Sequence, residues 1–236
     1  MLFYAKTNIG KVRKMNQDAY IFLPEYNLLA VADGLGGHLA GDVASKKAIQ
    51  ILEEYVCEHP GIPEEILYEA FTEANRRIFK KAAEDDMLNG MGTTLTVAMI
   101  DQHRLIIAHV GDSRAYLLQE GEFHQLTKDH SLVGELVRSG NITKEEADVH
   151  PQKNMLMRAL GMEDKIDVEI RVLEIEKGSK ILLTTDGMTN MLSQNELSDV
   201  LTTEKPEEAL DKLVAIAMDR GGRDNITAVL GIVEPN

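Results

Sequence analysis

Five aspartates in this chain of 236 residues stand at the boundaries of apolar runs, and their immediate neighbours narrow the chemistry they could do. Asp33 closes the run Leu28 to Ala32 and is followed by Gly34-Leu35-Gly36-Gly37-His38, while Asp186 closes Ile181 to Thr185 and is followed by Gly187. A carboxylate at a strand end, with glycine beside it to let backbone approach closely, suits a hard divalent cation that takes oxygen from carboxylates, carbonyls and water, such as Mg²⁺ or Mn²⁺. Asp-Gly is also an ordinary turn dipeptide, so neither pair decides the matter alone. Three further stretches add to them: Arg13 to Asp18, Gly111-Asp112-Ser113-Arg114 after the run Leu105 to Val110, and Gly222-Arg223-Asp224-Asn225 before the last apolar run. With one cysteine and histidines scattered rather than spaced as ligands, the donor set is oxygen and not that of a zinc site. Nothing matches a P-loop, an EF-hand loop or a nucleophilic Cys or Ser triad.

To bring these carboxylates together the chain needs strand ends that meet. Strict alternation at Thr94 to Met99 and Asp167 to Val172 predicts strands with one buried face, and apolar β-branched runs at Leu28 to Ala32, Leu105 to Val110, Ala115 to Leu118, Ile181 to Thr185 and Ile226 to Val233 predict more. Met1 to Thr7 reads as a first strand and carries no basic leader or cleavage site. Helical spacing appears at Ala44-Ala48-Ile51-Leu52-Tyr55, at Leu67-Ala70-Phe71-Ala74-Ile78 and at Leu210-Leu213-Val214-Ala217. Pro63 and Pro206, each before a Glu-Glu pair, mark two helix starts. Strands come in runs and helices in pairs, which predicts an α+β layered fold with mostly antiparallel sheets rather than a βαβ alternation. A single domain over 1–236 is expected, interrupted by a segment at about 131–161 that carries Gly134, Gly140, Pro151 and Gly161 and reads as a mobile, flap-like insert over one end of the sheets.

Composition bounds the function. The net charge of −14, from 39 acidic and 25 basic residues, argues against nucleic acid as a partner, because a phosphate backbone calls for clustered Lys and Arg. The same charge disfavours a two-metal phosphodiesterase or nuclease, but not a phosphate substrate as such, since bound cations reverse the local field. No apolar stretch reaches the roughly 20 residues a membrane helix needs, so no membrane insertion is expected and the protein is expected in the cytoplasm. The lone Cys57 falls on the apolar side of a predicted helix and is read as packing.

Taken in order, Arg13…Asn16-Gln17-Asp18, Val31-Ala32-Asp33-Gly34-Leu35-Gly36-Gly37-His38, Gly92-Thr93-Thr94-Leu95, Val110-Gly111-Asp112-Ser113-Arg114, Thr185-Asp186-Gly187 and Asp224-Asn225-Ile226-Thr227 resemble the motifs of the PPM family of metal-dependent serine/threonine protein phosphatases, the protein phosphatase 2C type. The matches run from residue 13 to residue 227, and the absence of an added domain resembles the compact bacterial branch. The resemblance implies a four-layer αββα sandwich, two antiparallel sheets flanked by helix pairs, with the site at one end between the sheets. It implies two to three Mn²⁺ or Mg²⁺ ions: Asp33 bridging two of them, Asp186 and Asp224 completing one site, the Gly34 carbonyl serving the other, Asp18 acting through water, and Asp112 with Asp186 holding a third. It implies Arg13 as the phosphate ligand, phosphorylated proteins as substrates and a cognate serine/threonine protein kinase as functional opposite. Animal members carry His directly after the first Asp-Gly; here Leu35 stands there, and His38 is the candidate general acid, with metal-bound water as its rival and a helix cap as the non-catalytic reading. Thr93-Thr94 and Lys128-Asp129-His130-Ser131 are read as structural, the latter as a cap before a helix. A catalytically inactive phosphoprotein-binding or sensing member would be expected to have lost metal carboxylates, and Asp33, Asp186 and Asp224 are all present.

Overall fold

Along the central strands, alternate side chains enter different packing layers, and that alternation generates the architecture. In the computed structural model, which describes residues 1–37 and 39–234, Leu28, Ala30 and Ala32 of one strand pack against helices, while Leu29 and Val31 between them pack against a second sheet. Because both faces of such strands are buried, they read in sequence as continuous apolar runs.

The elements in order are β1 Leu2–Asn8, β2 Asp18–Leu23, β3 Leu28–Leu35, α1 Ala40–Glu58, α2 Pro63–Glu84, β4 Gly92–Thr93, β5 Leu95–Asp101, β6 Arg104–Val110, β7 Arg114–Gln119 and β8 Glu122–Gln125. They continue with α3 Leu132–Arg138, α4 Lys144–Asp148, β9 Glu169–Glu174, β10 Lys180–Thr184, α5 Asp186–Thr189, α6 Gln194–Thr203, α7 Pro206–Asp219 and β11 Ile226–Ile232. One sheet has the order β1-β11-β10-β7-β8, and the other β2-β3-β5-β6-β9 with β4 paired to β3. Every pairing is antiparallel.

Three buried clusters define four layers. The first joins α1 and α2 to β3, β5 and β6 through residues such as Leu52, Phe71, Val97 and Ile106. The second joins α6 and α7 to β7, β10 and β11 through Leu197, Leu213, Tyr116 and Leu230. Between the sheets lies the third, with Leu29, Ala98 and Ile107 facing Leu117, Leu183 and Val229. The fold is therefore the expected αββα sandwich. Each Leu in these layers is worth about 2–5 kcal/mol against Ala.

Pro63 and Pro206 do open α2 and α7, with Glu64-Glu65 and Glu207-Glu208 in the first turns. Several elements are not expected from the sequence, among them β2, β8, α5 and α6. β2 lacks a clean apolar alternation, with Ala19, Ile21 and Phe22 half-buried and Tyr20 exposed. α6 carries a Ser193/Glu196 capping box, a signal that was available. Cys57 is a correction: it is exposed, because the buried stripe of α1 runs through Ala44, Ala48, Leu52 and Val56 and Cys57 lies a further 100° or so around the helix. The segment 131–161 contains α3 and α4, is closed on itself by a bridge between Ser131 and Leu156, and is tied to β4 by a bridge between Leu160 and Thr93. Among the described residues, no helix is long and apolar enough to cross a membrane.

Candidate active site

The two sheets bring five strand ends to one edge of the sandwich. Asp18 opens β2 and lies directly opposite Asp33 near the end of β3. Asp112 sits in the turn from β6 to β7, Asp186 follows β10 as the first residue of α5, and Asp224 precedes β11. Arg13, Asp33, Gly34, Asp112, Asp186 and Asp224 line one cavity of about 170 Å³, together with Gln17, Asn225, Asn154 and Leu156. Asp18 is buried beside it and is in electrostatic contact with Asp186 and Asp224. His38 lies outside the described residues.

Buried hydroxyls hold the carboxylates in place. The Asp33 backbone N–H donates to Thr94 Oγ1 at 2.9 Å, and its carbonyl accepts from the Thr94 N–H and the Thr93 hydroxyl, each at 2.9 Å. Thr94 Oγ1 also shares a hydrogen bond with Ser113 Oγ, 2.8 Å away beside Asp112. Thr185 Oγ1 donates to Asp18 Oδ2 at 2.9 Å and accepts from the Thr227 N–H at 3.0 Å. Thr93 and Thr94 are thus structural, as expected, but they act directly on Asp33. Ser131 caps α3, and its neighbour Asp129 forks onto Arg114.

Asn225 fastens the loop that carries Arg13. Its Oδ1 accepts from the Gln17 N–H at 2.8 Å, and its Nδ2 donates to the carbonyls of Ile9 and Met15, each at 2.9 Å. This role was not read in the sequence; an Asn beside the last aspartate was the visible signal. The glycines of both Asp-Gly pairs also have a definite purpose. A Cβ on Gly34 would lie 2.1 Å from the Gly41 carbonyl oxygen, and one on Gly187 would lie 1.9 Å from that of Asn225. Their small size serves close backbone packing around the site.

The electrostatics call for a cation. Burial foremost, then repulsion from the other aspartates, raises the pKa of Asp33 and Asp112 well above the carboxylate range. Asp18 is pushed up to about 7 by burial, against hydrogen bonds from Thr227 and Thr185. Asp186 is raised by burial and by Asp224, with hydrogen bonds to Asp33 and Asn190 opposing. Asp18 Oδ1 and Asp186 Oδ1 are buried without any hydrogen-bond partner. Unpaired buried carboxylate oxygens cost several kcal/mol, and a cation removes that cost. Among the described residues no three His, Cys, Asp or Glu side chains enclose one ion position by themselves. An ion here would take its remaining ligands from carbonyl and water, the habit of Mg²⁺ and Mn²⁺. The residues present fit such ions.

Comparisons with known proteins agree with this geometry. The sequence model of the family described as Protein phosphatase 2C matches residues 11–230. The serine/threonine phosphatase stp of Listeria welshimeri is 43% identical over 234 residues, covering 95% of this chain and 93% of the relative. The solved structure of the Mycobacterium tuberculosis serine/threonine phosphatase PstP/Ppp superposes with a TM-score of 0.92 at 36% identity, over 99% of both chains. The catalytic domain of PstP in complex with two manganese ions superposes with a TM-score of 0.90 at 35% identity, over 99% of this chain and 98% of that one.

Proposed function

The chain belongs to the protein phosphatase 2C family and is a metal-dependent serine/threonine protein phosphatase, and from that premise we propose how its own residues divide the work. Asp33, Asp186 and Asp224, with the Gly34 carbonyl and with Asp18 acting through water, hold two Mn²⁺ or Mg²⁺ ions. Asp112 and Asp186 hold a third. The observation that carries this assignment is the gathering of these oxygens around one small cavity with buried carboxylate oxygens left unpartnered. Divalent cations bound there supply an activated water for in-line attack on phosphorus and neutralise the phosphoryl charge.

Arg13 orients the phosphate, its planar fork of donors matching two phosphoryl oxygens. It stands at the cavity wall, half-exposed, where an incoming phosphate reaches it. Asp33 is fixed at both its N–H and its carbonyl, so its carboxylate meets the ions without reorganising, which is what electrostatic preorganisation requires. The leaving alkoxide needs a proton, and we assign it to His38; a His38→Gln variant with an unchanged kcat pH profile transfers that role to water. The insert at 131–161 contributes Asn154 and Leu156 to the cavity lining, which supports its part in substrate choice. We propose a cytoplasmic role opposite a serine/threonine protein kinase, since a free, exposed Cys57 suits a reducing compartment and phosphoserine requires an enzyme that makes it.

The deciding experiment follows phosphate release from a phosphothreonine peptide with Mn²⁺, with EDTA, and in Asp33→Ala. Turnover is expected only in the first. Metal-independent turnover, or none under any condition, overturns the reading.

A further inference from the structure

A second cavity, of about 590 Å³, adjoins the catalytic one, since Asp112, Asn154 and Asp186 line both. Its walls come from the run after β8, from the insert between Ser131 and Asn154, and from the loop joining α5 to α6. In a chain of net charge −14 this lining is unexpectedly basic, with Arg114, Lys128, Arg138, Lys144 and Lys153. Three of these are committed within the protein. Arg114 forks onto Asp129 at 2.6 Å, Arg138 donates to Glu135 at 2.8 Å, and Lys153 donates to the Asp148 carbonyl at 3.2 Å. Lys128 and Lys144 are exposed, and among the described residues their ammonium groups make no hydrogen bond or ion pair, Lys144 having only an electrostatic interaction with its neighbour Glu145. Of the acids sharing the lining, Asp112 and Asp186 belong to the metal site and Asp129 to Arg114, which leaves Asp148.

A phosphoserine or phosphothreonine seated in the small cavity must lead the rest of its polypeptide outward, and the larger cavity adjoins it directly. Two uncommitted ammonium groups along that path favour a chain that brings negative charge. We propose that this groove binds the substrate segment flanking the phosphorylated residue and selects segments carrying an anionic side chain there, with Lys128 and Lys144 as the specificity-determining residues. The proposal rests on the phosphatase reading above. It does not involve the catalytic carboxylates.

The test uses the full chain with Mn²⁺ and three phosphothreonine peptides that differ only in one flanking residue: alanine, glutamate, or a non-hydrolysable phosphonate analogue of phosphothreonine. The flank is placed on either side in parallel sets. Wild-type kcat/KM is expected to favour an anionic flank about 3- to 10-fold, as two partly exposed ion pairs allow, and the preference should fade as salt rises. The Lys128→Gln, Lys144→Gln double variant is expected to lose the preference while turning over p-nitrophenyl phosphate as before. A preference for the phosphonate alone identifies a second phosphate as the ligand; an equal preference for glutamate identifies anionic side chains in general. Absence of any preference in the wild type, or its survival in the double variant, overturns the proposal while p-nitrophenyl phosphate turnover leaves the phosphatase reading standing. Failure of the wild type on p-nitrophenyl phosphate and on all peptides overturns the phosphatase reading itself.

Discussion

Arg13 Nη2 donates to Asp224 Oδ2 at 2.6 Å, joining the residue assigned to the phosphate with a residue assigned to a metal. The side chains are 50% and 30% exposed, so the pair adds little to stability, and its importance is positional. Asn225, next to Asp224, clamps the backbone of the loop on which Arg13 sits. The proposed phosphate ligand and the proposed metal ligand are thereby held as one unit.

Arg13→Lys and Arg13→Ala should therefore both lower kcat/KM for a phosphopeptide, by roughly 10- to 100-fold, the scale of a charge-assisted hydrogen-bond pair. Lysine keeps the charge and loses the fork. Steady-state kinetics in which Lys restores wild-type activity would contradict the bidentate role.

Asp33→Ala should cost more than the about 10- to 100-fold typical of groups that merely orient a ligand, and Asp112→Ala should cost less than Asp33→Ala. Metal titration by calorimetry checks this directly. The first variant should lose tight metal binding, whereas the second should lose only the weaker component.

The buried carboxylates give a pH signature. Their pKa values are raised in the folded protein, with Asp18 at about 7, so the metal-free native state holds more protons than the unfolded chain. Stability of the metal-free protein should fall as pH rises from about 4, the ordinary carboxylate value, towards about 7. His109 works in the opposite direction: burial and His130 lower its pKa to about 3, so its contribution is lost as pH falls below about 6.5. Because His109 acts alike with and without metal, the difference in Tm between Mn²⁺-loaded and EDTA-treated protein isolates the aspartates. That difference should widen across pH 4 to 7; a difference independent of pH would refute proton–metal competition.

Thr94→Val removes the acceptor of the Asp33 N–H and the partner of Ser113 while preserving shape. Unfolding in urea should show a loss of about 1–3 kcal/mol, with a larger proportional loss of activity than of stability-corrected fold. Gly187→Ala should be harsher, since its Cβ would press on the Asn225 carbonyl at 1.9 Å and displace the clamp on the Arg13 loop. A Gly187→Ala protein with unchanged Tm and kcat would show that this packing is dispensable.

Much of the fold was legible because its strands are buried on both faces and its helices carry apolar stripes, so Leu28–Leu35, Leu95–Asp101 and Pro63–Glu84 announced themselves. β2 did not, because exposed Tyr20 and half-buried Ile21 and Phe22 at a sheet edge blur the alternation. Cys57 was misplaced because one step along α1 turns a side chain from core to solvent.

For the site, residue types and their order alone pointed to aspartates at strand ends and an oxygen-ligated metal. Only the tertiary structure decided who stands beside whom. Arg13 meets Asp224 across 211 residues, Asp18 faces Asp33 through strand register, and Gly34 and Gly187 leave room for neighbouring backbone. Local patterns report propensity over a few residues, whereas these contacts are set by the register of two sheets and by how their ends stack. The same stacking places Lys128 and Lys144 on a groove beside the metal site, which no spacing in the chain reveals.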